Sequence, residues 1–268
     1  MVRASAGQEH QRQNRMRHAW AIELSIAASL AALAAAWVPF HTGYLAWSWD
    51  ALNHHVYLGL IAGGARWHLD VLAASYQSYQ YPFLYWPVYR MGLMQGSGAM
   101  FGALWSGMQA AMLALPLWII TRHMLPDAGQ YWQGLAQRFI AFVLAFASVM
   151  VFTGLETTGN DALAAVPLLW ALALALNPQG GNKSAAFAAA LWGVSVAFKL
   201  SNAVFLPLLL VFWWTPSEPH WPWRRGAAVA LASACGFGLA YAPWGFQLWA
   251  ATGNPFYPYF SSFFVARS

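Results

Sequence analysis

Residues 21–40 read AIELSIAASLAALAAAWVPF, and this stretch decides the fold class of the chain. It is apolar over about 20 residues, the length that a helix needs to cross a bilayer. Residues 1–18 before it are polar and basic, and we expect them to form a short cytoplasmic tail. A secretory signal peptide is the competing interpretation, but its apolar region would be too long and Glu23 interrupts it.

The composition of the whole chain is that of an integral membrane protein. Hydrophobic residues make up 60% and charged residues 8%, whereas a soluble domain carries about 25% charged residues. The alternating pattern of an outer-membrane barrel is missing, so helices are the spanning elements. Cys235 is the single cysteine, which excludes an internal disulfide.

The net charge of +5 could indicate a nucleic-acid partner. The sequence has no zinc-ligand spacing, no phosphate-binding glycine loop and no nucleic-acid module, and basic residues also gather on the cytoplasmic side of membrane proteins. We therefore expect membrane lipid, and not nucleic acid, as a partner.

The fold class predicted from these patterns is all-α integral membrane. We predict one transmembrane module over residues 19–268, with a large first extracytoplasmic loop at about 41–97 that bears surface-parallel helices. Seven spans can be drawn, at about Trp20–Phe40, Gly98–Ile120, Arg138–Gly154, Asp161–Leu176, Ser184–Phe198, Asn202–Trp214 and Gly226–Ala250.

The basic residues agree with this topology. With the tail inside, nine of the thirteen lie on the cytoplasmic side: Arg3, Arg12, Arg15, Arg17, Arg122, Arg138, Lys183, Arg224 and Arg225. The division at FKLSN (residues 198–202) is needed for that count. One long tilted helix over 184–214 is the alternative, but it would place Lys199 inside the bilayer, where a charge is costly.

Four acidic residues then fall on the extracytoplasmic side: Asp50, Asp70, Glu156 and Asp161. We predict a helix that begins at Asp50 and ends at Gly63 and Gly64. Helical spacing places Asn53, His54 and Tyr57 on the same face of this helix as Asp50. His54 and His55 should point to different faces and should not both serve one compact site.

Simpler roles for these acids stay open. Asp50 follows Ser48 at a helix start, so its carboxylate could serve only as a helix cap, and Asp161 after TTGN could do the same. A metal site built from Asp50, His54 and His68 is a further alternative without diagnostic spacing.

Aromatic residues crowd around two prolines in YQSYQYPFLYWPVYR (residues 76–90). Such belts commonly anchor a protein at the membrane–water boundary. Aromatic rings also stack on sugar faces, so sugar contact by residues such as Tyr81 is the second interpretation.

Several of these segments resemble the GT-C superfamily of membrane glycosyltransferases. The likeness lies in WDALNHHVYLGLIAGG (49–64) with YQYPFLYWP (79–87), in GNDALAAVPLLWALAL (159–174), in VAFKLSNAVFLPLLL (196–210) and in TGNPFYPYF (252–260). It covers nearly the whole chain through short motifs. Members continue with further helices, so the chain corresponds to their N-terminal conserved module.

The resemblance implies a role for each matching residue. Asp50 matches the first-loop acid, the catalytic base toward an acceptor hydroxyl, and Asp161 matches a second acid, with Glu156 near it. Lys199 would meet the phosphate of a polyprenyl-phosphate sugar donor, with Arg66 and Arg90 as further candidates. Asn53, His54, Tyr57 and Tyr81 would contact the sugar or the first loop.

The implied activity is inverting transfer of a hexose or pentose to a glycan, lipid or protein acceptor at the bacterial inner membrane. Whether a divalent metal serves as a cofactor stays open. Many members carry two acidic residues in the first loop, where this chain has Asp50-Ala51. The alternatives are a lipid-linked glycan transporter or polymerase, which should carry charges on broken helices at mid-bilayer, and a non-catalytic remnant. For the enzyme we expect Asp50, Asp161 and Lys199 to meet at one outer cavity.

Overall fold

The structure is a computed structural model. It describes residues 2–45, 48–64, 69–70, 73–126, 130–148, 151, 154–155, 157–177, 180–208, 210 and 223–264, with side chains from His18 onward in the first helix. Helices and turns account for all the regular structure in these ranges.

Within the described ranges, eight α-helices carry the fold: α1 Val2–Thr42, α2 Val56–Gly64, α3 Trp86–Gly92, α4 Gly98–Met124, α5 Tyr131–Phe146, α6 Asp161–Ala175, α7 Asn182–Phe198 and α8 Trp223–Thr252. A π-helical turn, Ala51–His55, leads into α2, and 3₁₀ helices occupy Ser75–Tyr79 and Leu200–Phe205. In the part of the chain that the structure describes, three stretches are long and apolar enough to cross a membrane: His18–Thr42, Gly98–Met124 and Trp223–Thr252. The all-helical prediction is confirmed, and α6 is a shorter apolar helix.

The helices pack in an ordered series. α1 lies along α4, α4 contacts α6, α6 contacts α7, and α7 lies along α8, while α5 packs on α4. Three apolar clusters fill the contacts, around Trp118 between α1, α4, α5 and α6, around Trp192 between α6, α7 and α8, and around Trp244 where α2 meets α8. The third cluster fixes the 43–97 segment to the bundle.

Small residues allow the close crossing of α7 and α8. A Cβ on Gly193 would collide with the backbone carbonyl of Ser233, and a Cβ on Gly236 would collide with the backbone carbonyl of Ala190. Backbone atoms cannot move aside as a flexible side chain can, so the crossing needs glycine on both helices. It holds α7, and with it the Lys199 junction, in place.

We expect Gly236→Val to lower the free energy of unfolding by about 1–3 kcal/mol, because the added side chain forces α7 and α8 apart. Gly238→Val is the matched control, since a Cβ at Gly238 on the same helix meets open space. Thermal unfolding of both variants in one detergent measures the difference. Equal loss in the two variants would contradict the close-crossing interpretation.

A buried ionic cluster joins α1, α4 and α5. Glu23 is 7% exposed, and its carboxylate accepts hydrogen bonds from Arg122 at 3.1 Å and from the Tyr131 hydroxyl at 2.8 Å. Arg138, which is fully buried, places its guanidinium 3.8 Å from the same carboxylate and donates to the carbonyl of Leu125. Buried charges persist when they are paired in this way.

The cluster corrects the prediction for α5. Arg138 was expected to mark the cytoplasmic start of a span ending at Gly154, but α5 runs from Tyr131 to Phe146. The arginine lies inside the helix, with its guanidinium beside the Glu23 carboxylate and one hydrogen bond to the carbonyl of Leu125. An arginine in a helical bundle therefore need not mark the boundary of the membrane.

Two other boundaries also differ from the predictions. The backbone of α1 is helical from Val2, so most of the predicted tail at 1–18 continues the first helix. The sixth predicted span, Asn202–Trp214, begins as a 3₁₀ helix, and residues 211–214 lie outside the described residues. The predicted division at FKLSN is present, because α7 ends at Phe198 and Lys199 has an extended backbone.

Candidate functional site

One polar cavity of about 410 Å³ lies where several helices begin or end. It is bounded by the π-helical turn, the aromatic segment at 77–85, the start of α6, the junction after α7, the middle of α8 and the turns after α8. Its charged and imidazole side chains are Asp50, His54, His55, Asp161 and Lys199. Six tyrosines complete the lining, namely Tyr79, Tyr81, Tyr85, Tyr241, Tyr257 and Tyr259.

The prediction that His54 and His55 could not share one site is wrong. Their ring centroids are 4.4 Å apart at an interplanar angle of 77°, and both rings line the cavity. The reason is the π-helical turn at Ala51–His55, which is wider than an α-helical turn. Such turns are frequent at functional sites, and here the turn brings two successive imidazoles to one space.

Asp50 is free of the capping role. The backbone N–H of Ala51 donates to the hydroxyl of Ser48 at 3.1 Å, whereas the Asp50 carboxylate makes no capping hydrogen bond. The Asp50 side chain is 61% exposed, and its carboxylate lies 3.8 Å from Nδ1 of His54, beyond hydrogen-bonding distance. The carboxylate is part of the cavity lining and is open to contact with a bound molecule.

Lys199 and Asp161 form an ion pair across the cavity wall. Asp161 is the first residue of α6, where a carboxylate is favoured by the helix dipole, and Lys199 follows the last residue of α7. The side chain of Asn160, which precedes Asp161, makes no capping hydrogen bond, and the Asp161 carboxylate is the partner of the lysine. The pair joins two helix ends at the site.

Two polar residues, Ser195 and Asn202, fix the chain where α7 ends. Ser195 donates from its hydroxyl to the carbonyl of Ala164 on α6 at 2.7 Å, and the Asn202 side-chain amide donates to the Ser195 hydroxyl at 2.8 Å. These bonds tie the chain together on either side of Lys199 where α7 stops. Sequence reasoning missed both residues, although the motif that contains Asn202 was recognised.

Burial lowers the pKa values of the basic groups in the cavity. Desolvation is the main cause for His55, whose pKa falls from 6.5 to about 4, with a smaller contribution from His54. Desolvation also lowers the pKa of His54, and the nearby Asp50 carboxylate opposes the shift. The same two influences act on Lys199, whose pKa is lowered by burial and raised by Asp50.

We expect the protein to lose stability as the pH falls from about 6.5 to about 4. The unfolded chain takes up a proton on His55 near 6.5, but the folded chain does so only near the lowered pKa. The loss should be on the order of 1–3 kcal/mol, and His55→Gln should flatten it. Unfolding midpoints in detergent across this pH range measure it, and an unchanged pH slope in His55→Gln would refute the assignment.

His55 is also fixed mechanically. Its Nδ1 lies 2.8 Å from the hydroxyl of Thr158, and its ring stacks on Tyr85 with centroids 4.8 Å apart. Glutamine at this position can keep a hydrogen bond to Thr158 without a titrating ring, which makes it a suitable replacement.

Of the other predicted site residues, one lines the cavity, three lie away from its lining, and the rest fall outside the described residues. Tyr81 lines the cavity and donates from its hydroxyl to the carbonyl of Ala240 at 3.3 Å. Asn53 and Tyr57 lie away from the lining, and the Tyr57 hydroxyl donates to Asp70 at 3.2 Å. Arg90 lies beside the ring of Trp86, outside the cavity. Arg66, Glu156 and His68 fall outside the described residues.

The aromatic segment contributes side chains to the cavity and to the surface of the protein. Tyr79, Tyr81 and Tyr85 line the cavity, whereas Tyr76 and Trp86 are exposed. Tyr257 and Tyr259 reach the cavity from the turns after α8, where the amide of Asn254 donates to the carbonyl of Tyr259 at 2.7 Å. TGNPFYPYF was singled out as a motif, but no pattern in it indicated that its tyrosines face the site.

Of the three residues of the alternative metal site, the structure describes Asp50 and His54, and His68 lies outside the described ranges. Within those ranges, no three histidine, cysteine, aspartate or glutamate side chains are grouped to hold a metal ion. The ionisable groups of the site are arranged as one carboxylate beside two imidazoles, facing one ion pair.

Comparison of the chain with protein-family models, with curated proteins and with solved structures finds no match. The arguments for function therefore rest on the geometry of the cavity and on the motifs.

Proposed function

We propose that the protein is a membrane glycosyltransferase that moves a sugar from a polyprenyl-phosphate donor to the hydroxyl of an extracytoplasmic acceptor. The observation that carries the proposal is the meeting of Asp50 with the Asp161–Lys199 pair at one tyrosine-lined cavity. These are the residues that match the GT-C-like motifs, and they come from segments far apart in the chain.

The position of the cavity supports a lipid-held donor. α1 ends at Thr42 and α4 begins at Gly98, so the two apolar stretches flank the 43–97 segment that carries Asp50. α6 begins and α7 ends at the cavity itself. A prenyl chain could stay in the bilayer while its phosphate and sugar reach the polar groups at the end of the helices.

The reaction is a single displacement at the anomeric carbon. The acceptor oxygen forms a bond to that carbon, and its proton passes to the Asp50 carboxylate. The bond between the anomeric carbon and the phosphate oxygen breaks, its electron pair stays on the phosphate, and configuration inverts. The Lys199 ammonium, released in part from Asp161, stabilises the charge that grows on the leaving phosphate.

The aromatic lining suits a sugar as the transferred group. Three tyrosines of the 77–85 segment and two of the turns after α8 line the same space. Ring faces stack on the apolar faces of sugars, and hydroxyls exchange hydrogen bonds with them. The distribution of basic residues supports a cytoplasmic N-terminus and a site on the opposite side of a bacterial inner membrane.

The direct test uses the purified full chain in phosphatidylcholine vesicles. A radiolabelled polyprenyl-phosphate sugar is supplied with an alcohol acceptor, and labelled product and free polyprenyl phosphate are measured together. Equal amounts of both are expected. A chain that binds the donor but releases no polyprenyl phosphate with any sugar would overturn the proposal.

A further inference from the structure

A second cavity of about 410 Å³ lies next to the polar one. It is lined by α3, the loop after α3, the residues that follow α1 and the starts of α2 and α4, and its side chains include Val56, Val88, Met91, Leu93 and Phe101. Among the described residues, its lining carries no carboxylate, ammonium or guanidinium group. A cavity of this size and character suits a hydrocarbon chain.

His55 lies at the edge that the two cavities share. It belongs to the lining of both, and its hydrogen bond to Thr158 and its stacking on Tyr85 hold the ring in place there. Ala51, the residue after Asp50, also lines the apolar cavity. A molecule with its chain in the apolar cavity and its polar head past His55 would therefore place that head beside Asp50.

The rim of the apolar cavity lies where two apolar stretches end. Tyr44 follows the end of α1, and Leu93 and Met94 precede the start of α4; these three rim side chains are 55%, 61% and 60% exposed. Exposed apolar side chains grouped around a cavity indicate an interaction site, and a rim of this kind where an apolar helix ends and another begins suits contact with lipid. A chain can thus enter the cavity from the bilayer.

A third space, a groove along α8, suits the prenyl chain of the donor. This groove along α8 and the turns after it is lined by Phe237, Tyr241, Trp249 and Phe256, and it shares Tyr241 with the polar cavity. Tyr81 contacts both Tyr241 and Phe198, the neighbour of Lys199. The α8 groove therefore leads to the phosphate-binding lysine, whereas the apolar cavity leads to Asp50.

We propose that the apolar cavity binds the hydrocarbon chain of the acceptor, so that the acceptor is a membrane lipid with a hydroxyl in its head group. The inference rests on the proposed function and narrows its acceptor to one chemical class. The acceptor oxygen meets Asp50 from the His55 side, and the donor meets Lys199 from the α8 side.

Photolabelling tests the site without requiring transfer. The full chain in phosphatidylcholine vesicles is mixed with hexadecanol carrying a diazirine, irradiated, and mapped by mass spectrometry. We expect adducts on residues 88–101 and at Val56. An excess of polyprenyl phosphate should leave this labelling unchanged, because its chain belongs to the α8 groove.

A matched pair of variants locates the chain within the cavity. Gly92 ends α3 and lines the cavity, and Gly64 ends α2 outside it, while a Cβ meets open space at either position. Gly92→Trp should reduce the labelling about tenfold by filling the cavity, a change of about 1.4 kcal/mol. Gly64→Trp should label as the unaltered protein does.

Three labelling results would overturn the lipid-acceptor proposal: adducts confined to α8, displacement of the alcohol by polyprenyl phosphate, and equal labelling of the two tryptophan variants. The first two measurements need only the unaltered protein, so they stand if Gly92→Trp fails to fold. Transfer to a water-soluble alcohol and not to a membrane alcohol would sustain the glycosyltransferase and remove the lipid acceptor. Labelling as expected without transfer would remove the enzyme and sustain the lipid site.

Discussion

Replacing Asp50 by asparagine is expected to lower the rate of sugar transfer by about 10²–10⁴-fold, the range that a general base contributes. Asparagine has a similar shape but cannot take the proton of the acceptor hydroxyl. Because the side chain is 61% exposed and makes no capping hydrogen bond, the fold should be unaffected. The initial rate of labelled-sugar transfer at saturating donor measures the loss.

Asp70→Asn is the matched control for the Asp50 variant. Asp70 lies in the same 43–97 segment, but it accepts a hydrogen bond from Tyr57 and is not part of the cavity lining. It should therefore transfer at nearly the unaltered rate. If Asp50→Asn were as active as Asp70→Asn, Asp50 could not be the base.

Replacing Lys199 by glutamine is expected to reduce transfer by about 10²–10³-fold, the cost of removing one group that stabilises charge in the transition state. The substitution removes the positive charge that would meet the donor phosphate, and it leaves Asp161 beside that phosphate without its partner. The KM for the donor should rise together with the fall in kcat. Steady-state rates against donor concentration separate the two effects.

Lys183→Gln controls for the loss of a lysine. Lys183 lies in the first turn of α7, at the end of the helix opposite to Lys199, and is exposed. Asp161→Asn adds a second comparison, since it frees the lysine while removing a negative charge near the phosphate. A donor KM that stays constant in Lys199→Gln would argue against phosphate binding there.

The ionisable residues of the site could be found from sequence because they are expensive in an apolar chain. Lys199 at FKLSN and Asp161 after TTGN stood out for this reason, and the structure brings them together. The division of the chain at Lys199 followed from the same cost. What spacing could not give was the π-helical turn, which depends on how Ala51, His54 and His55 are packed and not on their order.

The sequence patterns also could not predict which distant segments contact each other. Glu23 and Arg122 are ninety-nine residues apart, and each was interpreted from its immediate neighbours alone. The tyrosines that follow α8 reach the cavity because α8 packs on α7 and α2, which no local period encodes. Local patterns predicted the helices, and the meeting of their ends needed coordinates.

The ionic cluster around Glu23 affects how the protein is inserted into the membrane during its synthesis. Synthesis proceeds from the N-terminus, so Glu23 is made well before Arg122 and Arg138. A lone carboxylate at the centre of a membrane helix costs about 2.5–3.5 kcal/mol on insertion scales. Glu23 lies nearer the start of its span, and the arginines of α4 and α5 offset the cost of its charge. The first helix should therefore remain at the insertion machinery until the two arginines emerge and can accompany it into the lipid.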